Sequence, residues 1–113
     1  MDGGDYIAYL DKKWIEDPSQ PVGAAGNVAV DPAGNPAFAG HKKPHHLFYK
    51  KNSVWVELEV CSIGVTFGSD GTLYRRGCDE KIYKYSESEW TKLSDKEAIN
   101  VAAGTNSVWI IDH

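Results

Sequence analysis

The sequence predicts an all-β fold assembled from about three copies of one four-strand unit. Three observations carry this expectation. Short apolar runs followed by turns recur at a nearly constant period, and a second motif, an aromatic or aliphatic pair leading to Trp, recurs with a similar one. No segment offers a convincing amphipathic helix; residues 94–100 come closest, but the stretch is too short and runs straight into an apolar strand.

The first motif reads Asn27-Val28-Ala29-Val30-Asp31-Pro32-Ala33-Gly34, then Gly64-Val65-Thr66-Phe67-Gly68-Ser69-Asp70-Gly71, then Asn100-Val101-Ala102-Ala103-Gly104-Thr105-Asn106-Ser107, with starts 37 and 36 residues apart. The second reads Tyr6-Ile7-Ala8-Tyr9 before Trp14, Leu47-Phe48-Tyr49-Lys50 before Trp55, and Ile82-Tyr83-Lys84-Tyr85 before Trp90, with Trp spacings of 41 and 35. The longer first interval is expected to hold a loop insertion over Asp17 to Gly26, marked by its Pro and Gly. Counted from Trp55, one unit resolves into strands at Val54 to Val60, Gly64 to Gly68, Thr72 to Arg76 and Lys81 to Tyr85. Asp70-Gly71 is expected to form a type I′ hairpin turn, with Ala33-Gly34-Asn35 and Thr105-Asn106-Ser107 in the equivalent places.

The gross composition agrees with a small globular domain. The chain has 113 residues, 42% of them hydrophobic and 25% charged, which indicates neither disorder nor a membrane protein. Four Trp, six Tyr and three Phe suit pleated strands, where flat side chains pack against cross-strand neighbours. A net charge of −4 argues against a nucleic-acid partner, whose binding is driven by clustered Lys and Arg. The N-terminus shows no secretory signal and no run reaches the ~20 apolar residues of a membrane span, so a soluble, cytoplasmic protein is expected. Cys61 and Cys78 form neither a disulfide framework nor a metal-knuckle spacing, and two reduced thiols are the expectation.

These residues resemble the tectonin-type β-propeller repeat: Trp, a short strand ending near Gly, a polar turn, a Val-Trp-like strand and an Ile-Tyr-x-Tyr-like strand leading to the next Trp. The stretch from Lys81-Ile82-Tyr83-Lys84-Tyr85 through Trp90 to Val108-Trp109 covers nearly all of the pattern. The first copy departs from it, with Pro36-Ala37-Phe38 where Val-Trp is expected and Lys50 in place of the second Tyr. The resemblance implies a propeller, commonly six-bladed, that acts as a glycan-binding lectin or as a scaffold docking other proteins or membranes.

Counted from the first Trp, the chain holds two four-strand units, Trp14 to Lys50 and Trp55 to Tyr85, then three strands from Trp90 to Asp112. The segment Tyr6 to Leu10 is a spare copy of the missing fourth strand, giving 12 strands and three blade equivalents at about 6–50, 51–85 and 86–113 of one 1–113 domain. Three blades do not close a ring of the usual four to eight. A homodimer is therefore expected, a six-bladed ring in which the N-terminal strand of one chain completes the last blade of the other.

Trp14, Trp55 and Trp90 recur at one repeat position and read as inter-blade packing. Tyr74 and Trp109 occupy matching points of the third strand, one residue out of step after Gly68 and Gly104. With Arg75, Arg76 and Asp112 beside them, and His46 in a nearby connector, they form the candidate glycan-binding set: an aromatic plate for the sugar's C–H face, charged groups for its hydroxyls. His41, His45 and His46 lie in one connector with Lys42, Lys43 and Pro44 but lack a clean ligand spacing, so no metal is expected. Glu57, Glu59, Glu87 and Glu89 alternate with other residues and read as solvent-facing. Asp31, Asp70 and Asn106 suit turns for their own backbone hydrogen bonds rather than calcium. No phosphate cradle and no nucleophile elbow is present, so neither an enzyme nor a cofactor is expected. Function is thus expected to be carbohydrate binding with multivalent surface sites, the alternatives being a protein-interaction scaffold or a fragmentary or engineered propeller without activity of its own.

Overall fold

The computed structural model describes the backbone of residues 7–10, 13–16, 25–40 and 43–112, and the side chains of 26–40 and 43–112. Among these residues the protein is all-β, with twelve strands and no helix; none is therefore long and apolar enough to cross a membrane. The strands are β1 (Ile7–Leu10), β2 (Lys13–Glu16), β3 (Ala25–Val30), β4 (Pro36–Gly40), β5 (Leu47–Lys51), β6 (Val54–Leu58), β7 (Ser62–Phe67), β8 (Leu73–Gly77), β9 (Ile82–Ser86), β10 (Glu89–Lys92), β11 (Ala98–Ala103) and β12 (Val108–Asp112). They form two antiparallel four-stranded sheets, β3-β4-β5-β6 (sheet I) and β7-β8-β9-β10 (sheet II), and two two-stranded ones, β11-β12 (sheet III) and β1-β2.

The units coincide in register, pair by pair. In each of β3, β7 and β11 the pairing slips at the same place, between Ala25 and Asn27, Ser62 and Gly64, and Ala98 and Asn100. Such a bulge bends a strand locally and increases its twist. Past it, Ala29 opposes Ala37, Thr66 opposes Tyr74 and Ala102 opposes Trp109. Tyr74 and Trp109 are thus in step, on the second strand of their sheets; the apparent one-residue offset is absorbed by the turns between the strands. The Trp hairpins match likewise: Tyr9 opposes Trp14, Lys50 opposes Trp55 and Tyr85 opposes Trp90.

Two expectations about the units are corrected by this pairing. The Trp-bearing strand closes a sheet instead of opening the next, because a two-residue hairpin ties it to the strand before it. Sheet III accordingly lacks two strands, not one, and the chain carries a two-stranded hairpin in β1-β2. The expected insertion over Asp17 to Gly26 lies outside the described residues as far as residue 24, and Ala25 and Gly26 open β3.

Turn chemistry also differs from expectation. At Asp70-Gly71 only Gly71 has positive φ (88°), with the Gly71 N–H donating to Gly68 O (3.0 Å) and the Gly68 N–H to Thr72 O (2.8 Å), a type I turn with a following left-handed residue. Gly34 (φ 90°) does the same after Asp31. Two positive φ values, the requirement of type I′, occur instead at Asn52-Ser53 and Glu87-Ser88, in the Trp hairpins. Asp31 and Asp70 serve their turns as expected, accepting from Ala33 and Asn35 (3.0 and 2.8 Å) and from Thr72 (3.0 Å).

The core lies between sheets I and II. Ala37 and Leu47 of one face pack against Val65, Phe67 and Leu73 of the other, all buried, and Tyr49 stacks tilted on Phe67 at 5.3 Å. Burial of this apolar area is the main stabilising contribution, about 1.5–3 kcal/mol for each large side chain. Neighbouring sheets are also joined by backbone. The Ser62 N–H donates to His45 O, and the Ala98 N–H to Glu80 O, both at 2.8 Å. His45 (φ 58°) and Glu80 (φ 67°) occupy the same repeat position.

Cys61 and Cys78 are disulfide-bonded, with Cα atoms 5.5 Å apart, which overturns the expectation of reduced thiols. They flank the β7-β8 pair at its open end, where the Cys78 N–H already donates to Cys61 O (3.1 Å). The pairing was hidden in sequence because a separation of 17 residues says nothing of cross-strand opposition until the hairpin register is known.

Candidate functional site

Arg75, Tyr83 and Trp90 form a layered cluster on one face of sheet II. β8 and β9 pair so that Arg75 opposes Tyr83. The Arg75 guanidinium lies over the Tyr83 ring (4.1 Å to its centre) and the Trp90 ring (4.7 Å). Its Nη1 donates to Cys61 O (3.0 Å), while Nε is buried without a hydrogen-bond partner among the described residues. Burial pushes Arg75 below its usual range, opposed by nearby Tyr83 and Asp79. Arg75 is therefore a spacer that fixes two aromatic rings by cation–π contact, not an open donor for a ligand.

At the rim of this cluster the Tyr83 hydroxyl donates to Asp79 (2.5 Å). That bond raises Tyr83 above the ordinary tyrosine value. Burial works to raise Asp79, but the Tyr83 hydroxyl and the Lys81 N–H prevail and hold it low. Lys92 pairs with Asp95 (2.6 Å) on the same side of the hairpin, which holds Asp95 low and Lys92 high. Among the described residues no group of three or more His, Cys, Asp and Glu is placed to hold a metal ion.

Sheet I carries a related arrangement at the same register. Phe38 opposes Phe48 as Arg75 opposes Tyr83, and the Phe38 and Trp55 rings lie 5.7 Å apart. Lys50 sits over Trp55 at 5.8 Å, at the position where Tyr85 meets Trp90 at 4.6 Å. The rim is again polar: His46 Nδ1 and Glu57 Oε2 are 2.5 Å apart. Glu57 is thus engaged with a neighbour in the connector that leads into β5, beyond its expected role as a solvated charge.

No family model and no curated protein matches the chain.

The six expected site residues do not converge on one place. Arg75 and His46 belong to the two rim clusters. Arg76 leans the other way, its Nε donating to Ala98 O (2.5 Å) and Nη2 pairing with Glu80 (3.2 Å), so it bridges sheet II to sheet III. Tyr74 shares that face of β8, half-buried. Trp109 stands 73% exposed on sheet III, and Asp112, at the strand's end, has a long contact from Lys96 (3.8 Å). His41 and Lys42 lie outside the described residues, as does the Trp14 side chain. Sequence reasoning missed Tyr83, Asp79 and Glu57 as partners in the site. The available signal was alternation: Tyr83 and Tyr85 fall on one face of their strand, which the hairpin turns toward Trp90.

A separate concavity is lined by the first strands of the three sheets. β3, β7 and β11 border a cleft of about 440 Å³ with Asn27, Gly64 and Asn100 at equivalent positions and Arg76 at its edge. The Asn27 side-chain oxygen accepts from the Val65 N–H of the next sheet (3.0 Å).

Proposed function

We propose that two copies of this chain close a six-bladed, tectonin-like β-propeller and that the ring binds carbohydrate as a multivalent lectin, without catalysis. Counting supports the ring: sheets I and II each have four strands, and sheet III plus the β1-β2 hairpin supply the strands of a third. Three blades fall short of the four to eight that close, while two chains related by a two-fold axis give six. First strands lining a common cleft are the arrangement a propeller needs around its channel.

The observation that supports carbohydrate is a polar rim beside aromatic rings on both sheets, though its carboxylates stand at different repeat positions: Tyr83–Asp79 and Trp90 in sheet II, His46–Glu57 and Trp55 in sheet I. Aromatic surface takes a sugar's C–H face, and carboxylate oxygens accept its hydroxyls. Individually shallow sites gain strength by repetition around a ring through effective concentration. The test is a glycan array probed with the purified protein, alongside its mass in solution. A species near 25 kDa, twice the 12.5 kDa chain, that binds glycans and loses signal on Asp79→Asn and Glu57→Gln is expected. A folded protein that binds no glycan overturns the lectin reading; a stable monomer overturns the ring.

A further inference from the structure

We infer that the two copies are joined by exchange of the β1-β2 hairpin, which adds to the β12 edge of the other copy, unpaired among the described residues, with Ala8 opposite Trp109 and Ile7 opposite Ile110. The inference rests on the closed-ring reading and specifies its joint. The hairpin is identified by register. Its Tyr9–Trp14 pair matches Lys50–Trp55 and Tyr85–Trp90, the third and fourth strands of the complete sheets. Sheet III, with the shared bulge, is the first and second.

The register of the joint transposes from the two intact sheets. There the second strand meets the third at Ala37–Tyr49 and Phe38–Phe48, and at Tyr74–Lys84 and Arg75–Tyr83. Trp109 and Ile110 stand where Ala37 and Phe38 do, and Ala8 and Ile7 where Tyr49 and Phe48 do. Strand addition at an open edge satisfies a row of backbone groups in one step.

Connectivity selects a second copy over the chain's own β12. Each fourth strand runs through a short connector, residues 59–61 or 93–97, to the first strand of the following sheet. The β1-β2 hairpin reaches β3 through residues 17–24, eight residues that span at most about 29 Å extended. It belongs by that rule to the sheet preceding sheet I, whereas sheet III of the same chain follows sheet II. In a two-chain ring the sheet preceding sheet I is sheet III of the other copy.

The faces brought together by this joint match an interface already present. Ala37 of sheet I is fully buried against Val65 and Phe67 of sheet II. The equivalent positions at the open ends are Trp109, 73% exposed, and Val28 and Val30, 56% and 58% exposed. Asn100 repeats Asn27, whose side chain accepts the N–H of Val65; Val28 repeats Val65. In the single chain Asn100 Oδ1 instead accepts from Val101 N–H (2.8 Å). On closure it turns to the partner's Val28 N–H.

Co-expression of Ile7→Cys and Ile110→Cys chains tests the joint, since directly opposed strand residues bring Cα atoms within the 4.4–6.8 Å that a disulfide spans. The native cysteines are bonded to each other and leave the new thiols to report. On oxidation, a covalent species of two chains is expected, with little from the off-register pair Ile7→Cys and Val108→Cys. Trp109→Ala is expected to weaken dimerisation about tenfold or more, as for a buried aromatic anchor. A wild-type dimer with no cross-link overturns the exchange and leaves the ring standing; a cross-linked single chain from the Ile7→Cys/Ile110→Cys double variant places the hairpin on its own sheet and overturns both.

Discussion

Replacing Tyr49 by Phe removes one hydroxyl and leaves the ring on Phe67 in place. That hydroxyl donates to Asp31 (2.6 Å), the residue that also accepts from Ala33 and Asn35 to hold the β3-β4 turn. Hydrogen bonds to a charged group contribute about 1.5–3 kcal/mol, and because Asp31 is only half-buried the lower end applies, about 1.5 kcal/mol. For a chain of this size that is a fall in Tm of about 6 °C. The pH dependence gives the cause away. Burial works to raise Asp31, but its hydrogen bonds, led by that from Tyr49, hold it below the ordinary carboxylate value. A lowered pKa contributes stability that is present above the unfolded value of about 3.9 and lost as pH falls through the folded one. Tyr49 is pushed up to about 12 by burial and by Asp31. A raised pKa contributes stability that is complete below the unfolded value of about 10 and lost as pH rises toward the folded one. Urea unfolding of wild type and Tyr49→Phe should therefore differ most between about pH 5 and pH 9 and converge toward both extremes. A difference below about 0.5 kcal/mol at pH 7, or one that does not change from pH 3 to pH 7, would refute this reasoning.

Two further outcomes are expected. Reducing the Cys61–Cys78 bridge, or replacing both residues by Ala, releases a loop of 17 residues, and chain entropy places the loss near 3 kcal/mol; chemical denaturation with and without reductant measures it, and a loss under 1 kcal/mol would show that the hairpin is held without the bond. Substituting Asn-Gly for Glu87-Ser88, both at positive φ, should add about 1 kcal/mol by relieving left-handed strain, read as a higher Tm; an unchanged Tm would mean the turn is already relaxed.

Much of the fold was legible because backbone periodicity survives divergence. The starts at Asn27, Gly64 and Asn100 are structurally equivalent, and the repeat with its turn signals placed the four strands counted from Trp55 within two residues of their observed ends. Sheet membership was not legible. A Trp strand flanked by turns on both sides belongs to whichever neighbour its hairpin favours, and that choice rested on Asn52-Ser53 and Glu87-Ser88 adopting positive φ without a glycine to announce it. The site was harder still. Arg75 and Arg76 are adjacent in sequence, yet alternation sends one between Tyr83 and Trp90 and the other toward Ala98. Their charge suggested a ligand; their burial and contacts were invisible until cross-strand partners were known.

The carbonyls of His45 and Glu80 fasten each sheet to the next through main-chain atoms alone. A histidine and a glutamate do the same work there because the side chain takes no part in it. Point substitution cannot delete a peptide oxygen, so these fastenings persist while surrounding residues drift. Successive joints can therefore differ in chemistry, one apolar and the next bridged by Arg76, while sharing the same main-chain bond at 2.8 Å.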